Sequence, residues 1–121
     1  MDDSPASISL YERSTAELDV ELITYISPTE GLEYLESHDA DLVFLGNFMR
    51  EIDGLSLLRR MRTLPRHAQT PVIVMTSKDY AQDRTLARQL GALEYLVKPL
   101  RSQEIREVIL RLIGARPSDG H

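Results

Sequence analysis

Side chains that can do chemistry lie at a few separated points of the chain. Two adjacent carboxylates, Asp2 and Asp3, stand at its beginning, Thr76 ends an apolar run, and Lys98 precedes Pro99. Carboxylates are the hard ligands that Mg²⁺ prefers, a hydroxyl can hydrogen-bond to an anionic oxygen, and an ammonium can pair with one. These residues can act together only if the fold brings them to one place.

Apolar runs predict the strands that would position these residues. The runs at 41–45 and 71–75 are short and continuous, as in strands covered on both faces, and the runs at 94–97 and 20–26 are similar. Helical patterns fill the gaps, with starts marked by Ser4, Ser27, Asp53 and Ser102 and ends marked by Gly91 and Gly114. The alternation predicts an α/β fold with one doubly wound parallel sheet, preceded by a helix that has no strand before it.

Several motifs then occur in a recognisable order. They are Asp2-Asp3-Ser4-Pro5, the run at 41–45, Met49, Asp53-Gly54, the run at 71–75 with Thr76, and Tyr95-Leu96-Val97-Lys98-Pro99. In this order the chain resembles the receiver domain of response regulators in two-component signalling, from Asp2 to Ile113. The resemblance implies a flavodoxin-like fold of five strand and helix units, with the first strand missing or truncated. We expect a receiver-like domain at 1–114 and a flexible tail at 115–121.

The resemblance also implies roles for single residues. In that family an aspartate at the end of the third strand accepts a phosphoryl group from a histidine kinase, and an acidic pair after the first strand, matched here by Asp2 and Asp3, holds magnesium. Thr76 matches the hydroxyl that contacts the phosphoryl group, and Tyr95 matches an aromatic switch. Lys98 matches the lysine that pairs with the phosphorylated site, and the resemblance implies a cis peptide bond before Pro99.

The chain departs from the family at the acceptor position. Counting back from Gly54 places Gly46 where the acceptor aspartate belongs, and glycine offers no nucleophile. The next side chain, Asn47, should point to the other side of the strand, and Arg50 replaces the usual proline. We therefore predict that phosphorylation is lost and that Lys98 forms an ion pair with an N-terminal aspartate. A carboxylate brought to position 46 from elsewhere, facing the threonine and lysine, would overturn this prediction.

A second departure is the start of the chain, where only Met1 precedes the acidic pair. The family's first strand lies in the middle of the sheet, so its absence would leave neighbouring strands unpaired. Three alternatives stay open: residues upstream, a strand donated by another molecule, or a sheet that closes in an altered order. Asp2 and Asp3 are either a metal site or charged residues before a helix, so Mg²⁺ is the single cofactor candidate and we expect none to be required.

Composition narrows the partners. The net charge of −5, from 19 acidic and 14 basic residues, disfavours attraction to nucleic acid. The chain has no cysteine and no apolar run long enough to cross a bilayer, so we expect a cytoplasmic protein without direct contact to nucleic acid or membrane. Two groups of side chains are predicted to lie on the surface: the arginines Arg59, Arg60, Arg62 and Arg66, and the histidines His38, His67 and His121.

These observations favour a non-enzymatic regulatory module that acts through protein contacts. Its partner would be an output domain, a histidine kinase or another receiver, and the last two helices with the strand between them could also form a homodimer. The charged face expected there comprises Arg101, Glu104, Arg106, Glu107 and Arg111. The alternative is a phospho-accepting receiver that uses a non-standard carboxylate such as Asp53. A weaker third alternative is a small ligand in the vacated pocket.

Overall fold

The computed structural model describes residues 1–114, so the predicted tail at 115–121 lies outside the described residues. Its helices are α1 (Pro5–Thr15), α2 (Pro28–Ser37), α3 (Gly54–Thr63), α4 (Ala81–Gln89) and α5 (Ser102–Ile113), with a 3₁₀ turn at Pro65–His67. The strands are β1 (Val43–Gly46), β2 (Val72–Thr76) and β3 (Glu94–Val97). None of the helices within residues 1–114 is both long and apolar enough to cross a membrane.

The three strands form one parallel sheet in the order β1-β2-β3. Side chains alternate along β2, which is buried throughout: Val72 and Val74 face one core and Ile73 and Met75 face the other. The first core contains residues of α2, α3 and α4, and the second contains residues of α1 and α5. Both faces of the sheet are covered by helices, so residues on both sides of each strand are buried, which explains the continuous apolar runs in the sequence. The predicted α/β fold is confirmed.

The predicted strand at 20–26 is wrong, since this segment has no regular secondary structure. The Asp2 N–H donates to the Tyr25 carbonyl over 3.1 Å, so the segment meets the sheet through the first two residues of the chain. A strand needs a ladder of hydrogen bonds along its length, and two residues cannot supply one. Leu22 and Ile23 consequently stay exposed, at 37% and 42%.

Met1 lies where a further strand would begin its pairing with β1. Its amino group donates to the Phe44 carbonyl over 2.7 Å, and its own carbonyl accepts the Gly46 N–H over 2.8 Å. This pattern pairs Met1 with Leu45 in a parallel register. The described strands therefore keep their order, and the alternative of a rearranged sheet is excluded.

The helix ends largely follow the predicted signals. Ser4, Ser27 and Asp53 each accept a backbone N–H of the first turn of the helix that follows. Ser102 was expected to cap α5 but is its first residue, because the Arg101 N–H is satisfied by the Glu104 carboxylate at 2.9 Å. Gly114 ends α5 with φ of 64°, in the left-handed region that favours glycine.

Two residues predicted for the surface are structural instead. Arg62 donates to four backbone carbonyls, those of Leu90, His67, Thr70 and Gly91, and so joins α3 to the loops that precede β2 and β3. His67 is completely buried. Its Nε2 lies 2.8 Å from two carbonyls at the end of α2, and its Nδ1 lies 2.8 Å from the Thr70 hydroxyl. Nε2 must donate because carbonyls only accept.

We expect Arg62→Lys to lower the free energy of unfolding by about 2 kcal/mol, because an ammonium cannot reproduce the planar set of donors that holds four carbonyls. Arg60→Lys is the matched control, since Arg60 lies on the same helix and is exposed, and it should change stability by less than about 0.5 kcal/mol. Urea unfolding of both variants measures the difference. Equal stabilities would show that the Arg62 contacts contribute nothing.

Candidate functional site

The predicted site residues meet at the carboxyl end of the sheet. Gly46 ends β1, Thr76 ends β2 and Lys98 directly follows β3, while Asp2 reaches them from the start of the chain. The Lys98–Pro99 peptide bond is cis. The parallel arrangement brings the ends of all three strands to one edge, which is why residues so far apart in sequence become neighbours.

Asp2 is the centre of this site. Its side chain is 2% exposed, and Oδ2 accepts a hydrogen bond from Lys98 Nζ at 2.9 Å while Oδ1 accepts the Ser4 N–H at 3.1 Å. The predicted ion pair of Lys98 with an N-terminal aspartate is therefore present. Tyr11 is close to this carboxylate. Its burial is the larger cause, and the charge of Asp2 the smaller cause, of a raised pKa of the Tyr11 hydroxyl.

The Asp2 carboxylate fills the space beside Gly46. A Cβ atom at position 46 would lie 2.9 Å from Asp2 Cγ and 3.0 Å from Oδ2. A carboxylate from elsewhere in the chain thus does reach this position and faces the lysine. Thr76 is engaged elsewhere, because its Oγ1 donates to the Lys78 carbonyl at 2.8 Å and accepts the Lys78 N–H at 3.1 Å. The prediction that phosphorylation is lost was to be overturned by a carboxylate beside position 46 that faces both Thr76 and Lys98. Asp2 has that position and faces Lys98, but it does not bind Thr76.

The Asp3 carboxylate accepts a hydrogen bond from Arg50, the second residue at which the acceptor loop departs from the family pattern. Its Oδ2 accepts the backbone N–H of Arg50 at 2.9 Å. A proline at position 50 would have no N–H to donate, so the residue that departs from the family pattern supplies the donor that this carboxylate uses. Sequence reasoning missed the contact because it depends on a backbone group whose direction only the folded loop decides.

Tyr95 and Asn47 lie on the face of the sheet that is covered by α2, α3 and α4. Tyr95 is 9% exposed, and burial raises the pKa of its hydroxyl above the ordinary value. The guanidinium of Arg84 lies 4.9 Å from the ring centroid and is itself bound to Asp79 at 2.9 Å. Asn47 points toward α4, where its amide lies 3.4 Å from the Asp83 carboxylate. Arg84 was not identified from the sequence, since nothing in its spacing marks it.

Asp53 is committed to the start of α3. Its two carboxylate oxygens accept the Ser56 N–H at 2.8 Å and the Ser56 hydroxyl at 2.9 Å. Gly54 allows the helix to begin against the acceptor loop, since a Cβ there would lie 2.4 Å from the Gly46 carbonyl oxygen. The structural role of the Asp-Gly turn therefore accounts for both residues.

Both members of the acidic pair are engaged by protein donors in this structure. Asp2 and Asp3 already accept hydrogen bonds from protein donors, and Gly46 contributes no carboxylate. Within residues 1–114 no three His, Asp or Glu side chains are grouped as metal ligands. A divalent ion held by oxygen ligands would have to displace Lys98 from Asp2 and the Arg50 amide from Asp3.

Comparison with known proteins identifies the family. The model of the response regulator receiver domain matches residues 1–110, so the chain belongs to that family. The chain thus supplies a domain of two-component signalling, with the fold that the sequence predicted.

Relatives carry this domain as part of longer proteins. The cyclic di-GMP phosphodiesterase response regulator RpfG of Xanthomonas campestris pv. campestris is 35% identical over 89 residues, which are 74% of this chain and 24% of that protein. The transcriptional regulatory protein YkoG of Bacillus subtilis is 35% identical over 92 residues, which are 76% of this chain and 38% of YkoG. The chain therefore spans less than half the length of either relative.

Solved structures agree on the fold. The phosphorylated cyanobacterial phytochrome response regulator RcpA superposes with a TM-score of 0.85 at 21% identity, covering 93% of this chain and 90% of RcpA. The chemotaxis protein CheY4 of Vibrio cholerae gives a TM-score of 0.83 at 19% identity, covering 93% of both chains. The flavodoxin-like receiver fold is thereby confirmed.

We expect Lys98→Met to lower the free energy of unfolding by about 2 kcal/mol at neutral pH, because it leaves a buried carboxylate without its cation. Lys78→Met is the matched control, since Lys78 is exposed and its ammonium lies 5.9 Å from the centroid of the Phe48 ring. Adding Asp2→Asn to Lys98→Met should restore part of the loss. Thermal or urea unfolding of the three variants measures it, and a control as destabilised as Lys98→Met would contradict the argument.

The buried amino terminus predicts a pH dependence of stability. Burial lowers the pKa of the Met1 amino group to about 6, whereas in the unfolded chain it is near 8. Between these values the unfolded chain binds more protons, so the free energy of unfolding should rise with pH by about 2 kcal/mol.

Nα-acetylated protein is the control, because the acetylated group keeps an N–H for the Phe44 carbonyl but no longer titrates. Urea unfolding is measured at intervals from about pH 5.5 to about pH 8.5, a range that includes both pKa values. The free energy of unfolding should rise with pH only in the unmodified protein. The same rise in both proteins would show that the Met1 amino group does not cause it.

Proposed function

We propose that this domain is a receiver that regulates its partners without being phosphorylated. It works as a non-enzymatic module whose output is a protein contact, and its partner is an output domain, a histidine kinase or another receiver. The observation that carries the proposal is the Asp2 carboxylate, which lies beside Gly46 and is already paired with Lys98.

The groups that would respond to a phosphoryl group have other partners. Lys98 is bound to Asp2, the Thr76 hydroxyl to the Lys78 backbone, and Tyr95 is buried beneath Arg84. In-line attack on phosphorus needs an accessible carboxylate oxygen. Asp2 is 2% exposed, and both of its oxygens accept hydrogen bonds, so it is a poor nucleophile here.

The expected contact surface is formed by α4, β3 and α5. β3 is an edge strand of the described sheet. Three large apolar side chains are exposed here: Leu93 just before β3, Val97 at its end and Leu110 on α5. Arg111 forms an ion pair with Glu94 across this surface. Two of the charged residues predicted for it have other roles, because Arg106 donates to the Ser14 carbonyl of α1 and Glu104 accepts the Arg101 N–H. An apolar strip flanked by charges suits a protein partner or a second copy of the domain.

The alternative function, phosphorylation of Asp53, has less support. The Asp53 carboxylate holds the first turn of α3 through two hydrogen bonds, and phosphorylation would remove both. The site also lacks a group of carboxylates suited to magnesium within residues 1–114, and phosphotransfer to a carboxylate depends on a metal to neutralise the phosphoryl oxygens. We infer that the domain needs no cofactor.

The test is incubation of the domain with Mg²⁺ and acetyl phosphate, and separately with Mg²⁺ and beryllofluoride. We expect no mass gain and unchanged amide spectra around Thr76 and Lys98, because no accessible carboxylate lies beside them. A receiver domain that retains the acceptor aspartate, treated in parallel, confirms that the reagents are active. A gain of one phosphoryl group would refute the proposal, and its loss in Asp2→Asn or in Asp53→Asn would identify the acceptor.

A further inference from the structure

Two aromatic side chains meet on the surface near the carboxyl end of the sheet. Phe48 lies in the loop between β1 and α3, and Tyr80 ends the loop between β2 and α4. Their ring centroids are 6.3 Å apart, and the rings are nearly perpendicular, at 85°. Both residues stay exposed, Phe48 at 47% and Tyr80 at 48%. Large aromatic side chains that are fixed against each other and open to water are typical of residues that bind a partner.

Cations border this aromatic pair. The Lys78 ammonium lies 5.9 Å from the centroid of the Phe48 ring, within the range of a cation–π contact. Arg50 follows Phe48 in the same loop and is also exposed. Among the ion pairs of residues 1–114, none gives Lys78 or Arg50 a carboxylate partner. We call Phe48, Tyr80, Lys78 and Arg50 the Phe48–Tyr80 patch.

The carboxylates of the same two loops are engaged with protein donors. Asp79 forms an ion pair with Arg84 at 2.9 Å. Glu51 accepts the Ser27 hydroxyl at 2.9 Å, and Asp53 caps α3. Each negative group of the loops therefore has a partner within the domain, whereas the two cations have none in the part of the chain that the structure describes. The charge left available to an incoming molecule at this patch is positive.

Geometry and charge disfavour two kinds of occupant. A second copy placed patch to patch would bring Lys78 and Arg50 against the same cations, and like charges across an interface oppose binding. A nucleic acid would stack its bases on open aromatic faces, whereas two perpendicular rings form a corner. It would also extend its phosphates over a domain whose net charge is −5.

A short acidic segment avoids this repulsion. Its few charges would contact the patch alone, and charges more than about 8 Å away are largely screened at physiological ionic strength. A corner between two rings has room for one bulky side chain, and aromatic pairs prefer the inclined arrangements that such a corner offers.

We propose that the Phe48–Tyr80 patch is a docking site for an acidic segment of a partner protein, in which an aromatic side chain is flanked by carboxylates. The aromatic side chain packs against the two rings, and the carboxylates pair with Lys78 and Arg50. Arg50 then has two roles, because its backbone N–H holds Asp3 and its side chain binds the partner.

The experiment titrates the full chain with an acetylated and amidated peptide that has one phenylalanine between two pairs of glutamates. Amide chemical shifts in NMR spectra locate the peptide and measure its affinity. We expect saturable binding with a Kd of about 1 mM or lower, and the largest shifts in the loops at 47–51 and 77–80. Replacing the phenylalanine of the peptide by alanine should weaken binding at least about fivefold. Replacing its glutamates by glutamine should have a similar effect and remove the dependence on salt.

Phe48 and Leu93 give matched apolar variants. Leu93 is 53% exposed and lies just before β3, at the opposite end of the sheet from the patch. Phe48→Ala should weaken peptide binding at least about fivefold, and Leu93→Ala should change it less than about twofold. Both replaced side chains are exposed, so both variants should fold, and circular dichroism checks this.

Lys78 and Arg60 give matched charged variants. Both residues are exposed, but Arg60 lies on α3 outside the patch. Lys78→Glu should weaken peptide binding at least about fivefold because it reverses the charge that the glutamates meet, and Arg60→Glu should change it less than about twofold.

Four outcomes would overturn the proposal. The first is no saturable shift up to about 10 mM peptide. The second is equal loss of binding in a variant and its matched control. The third is a single-stranded oligonucleotide that displaces the peptide from the same amides, which would assign the patch to nucleic acid. The fourth is self-association of the free chain that Phe48→Ala abolishes, which would assign it to a second copy. The titration contains neither Mg²⁺ nor a phosphoryl donor, and the patch shares no residue with Leu93, Val97 and Leu110, so its result is separate from the function proposed above.

Discussion

The buried ion pair between Asp2 and Lys98 is the interaction on which the site depends. It joins the first residues of the chain to the loop after the last strand, 96 residues later, with 2.9 Å between Oδ2 and Nζ. Because Asp2 is almost fully buried, its charge needs a partner, and Lys98 supplies it. One contact therefore stabilises the start of the chain and occupies the lysine.

Glycine at position 46 and arginine at position 50 belong to the same rearrangement. The absence of a side chain at 46 leaves room for the Asp2 carboxylate, and the backbone N–H of Arg50 satisfies Asp3. Each acidic residue that could help a metal ion or a phosphoryl group has a protein partner instead. The two substitutions are thus complementary in the folded loop.

The other distinctive feature is the gap between β1 and the segment at 20–25. In this family the site lies at the carboxyl edge of the sheet, and here Met1 and Asp2 bridge that edge while the rest of the gap forms a cleft. Met1 pairs with β1 at Leu45 and directly precedes the aspartate of the central ion pair.

Local sequence was enough to predict the α/β class, the helix caps at Ser4, Ser27 and Asp53, the three strands of the described sheet, and a glycine at the end of β1. These follow from local propensities, apolar periodicity and motif order, which are written along the chain. Tertiary structure decided what no local pattern records. The segment at 20–26 lacks a strand because its ladder partner is only two residues long, and His67 and Arg62 are structural because distant backbone carbonyls surround them. The position of Asp2 beside Gly46 also depends on long-range packing. The sequence around either residue does not indicate which side chain fills the space beside a glycine.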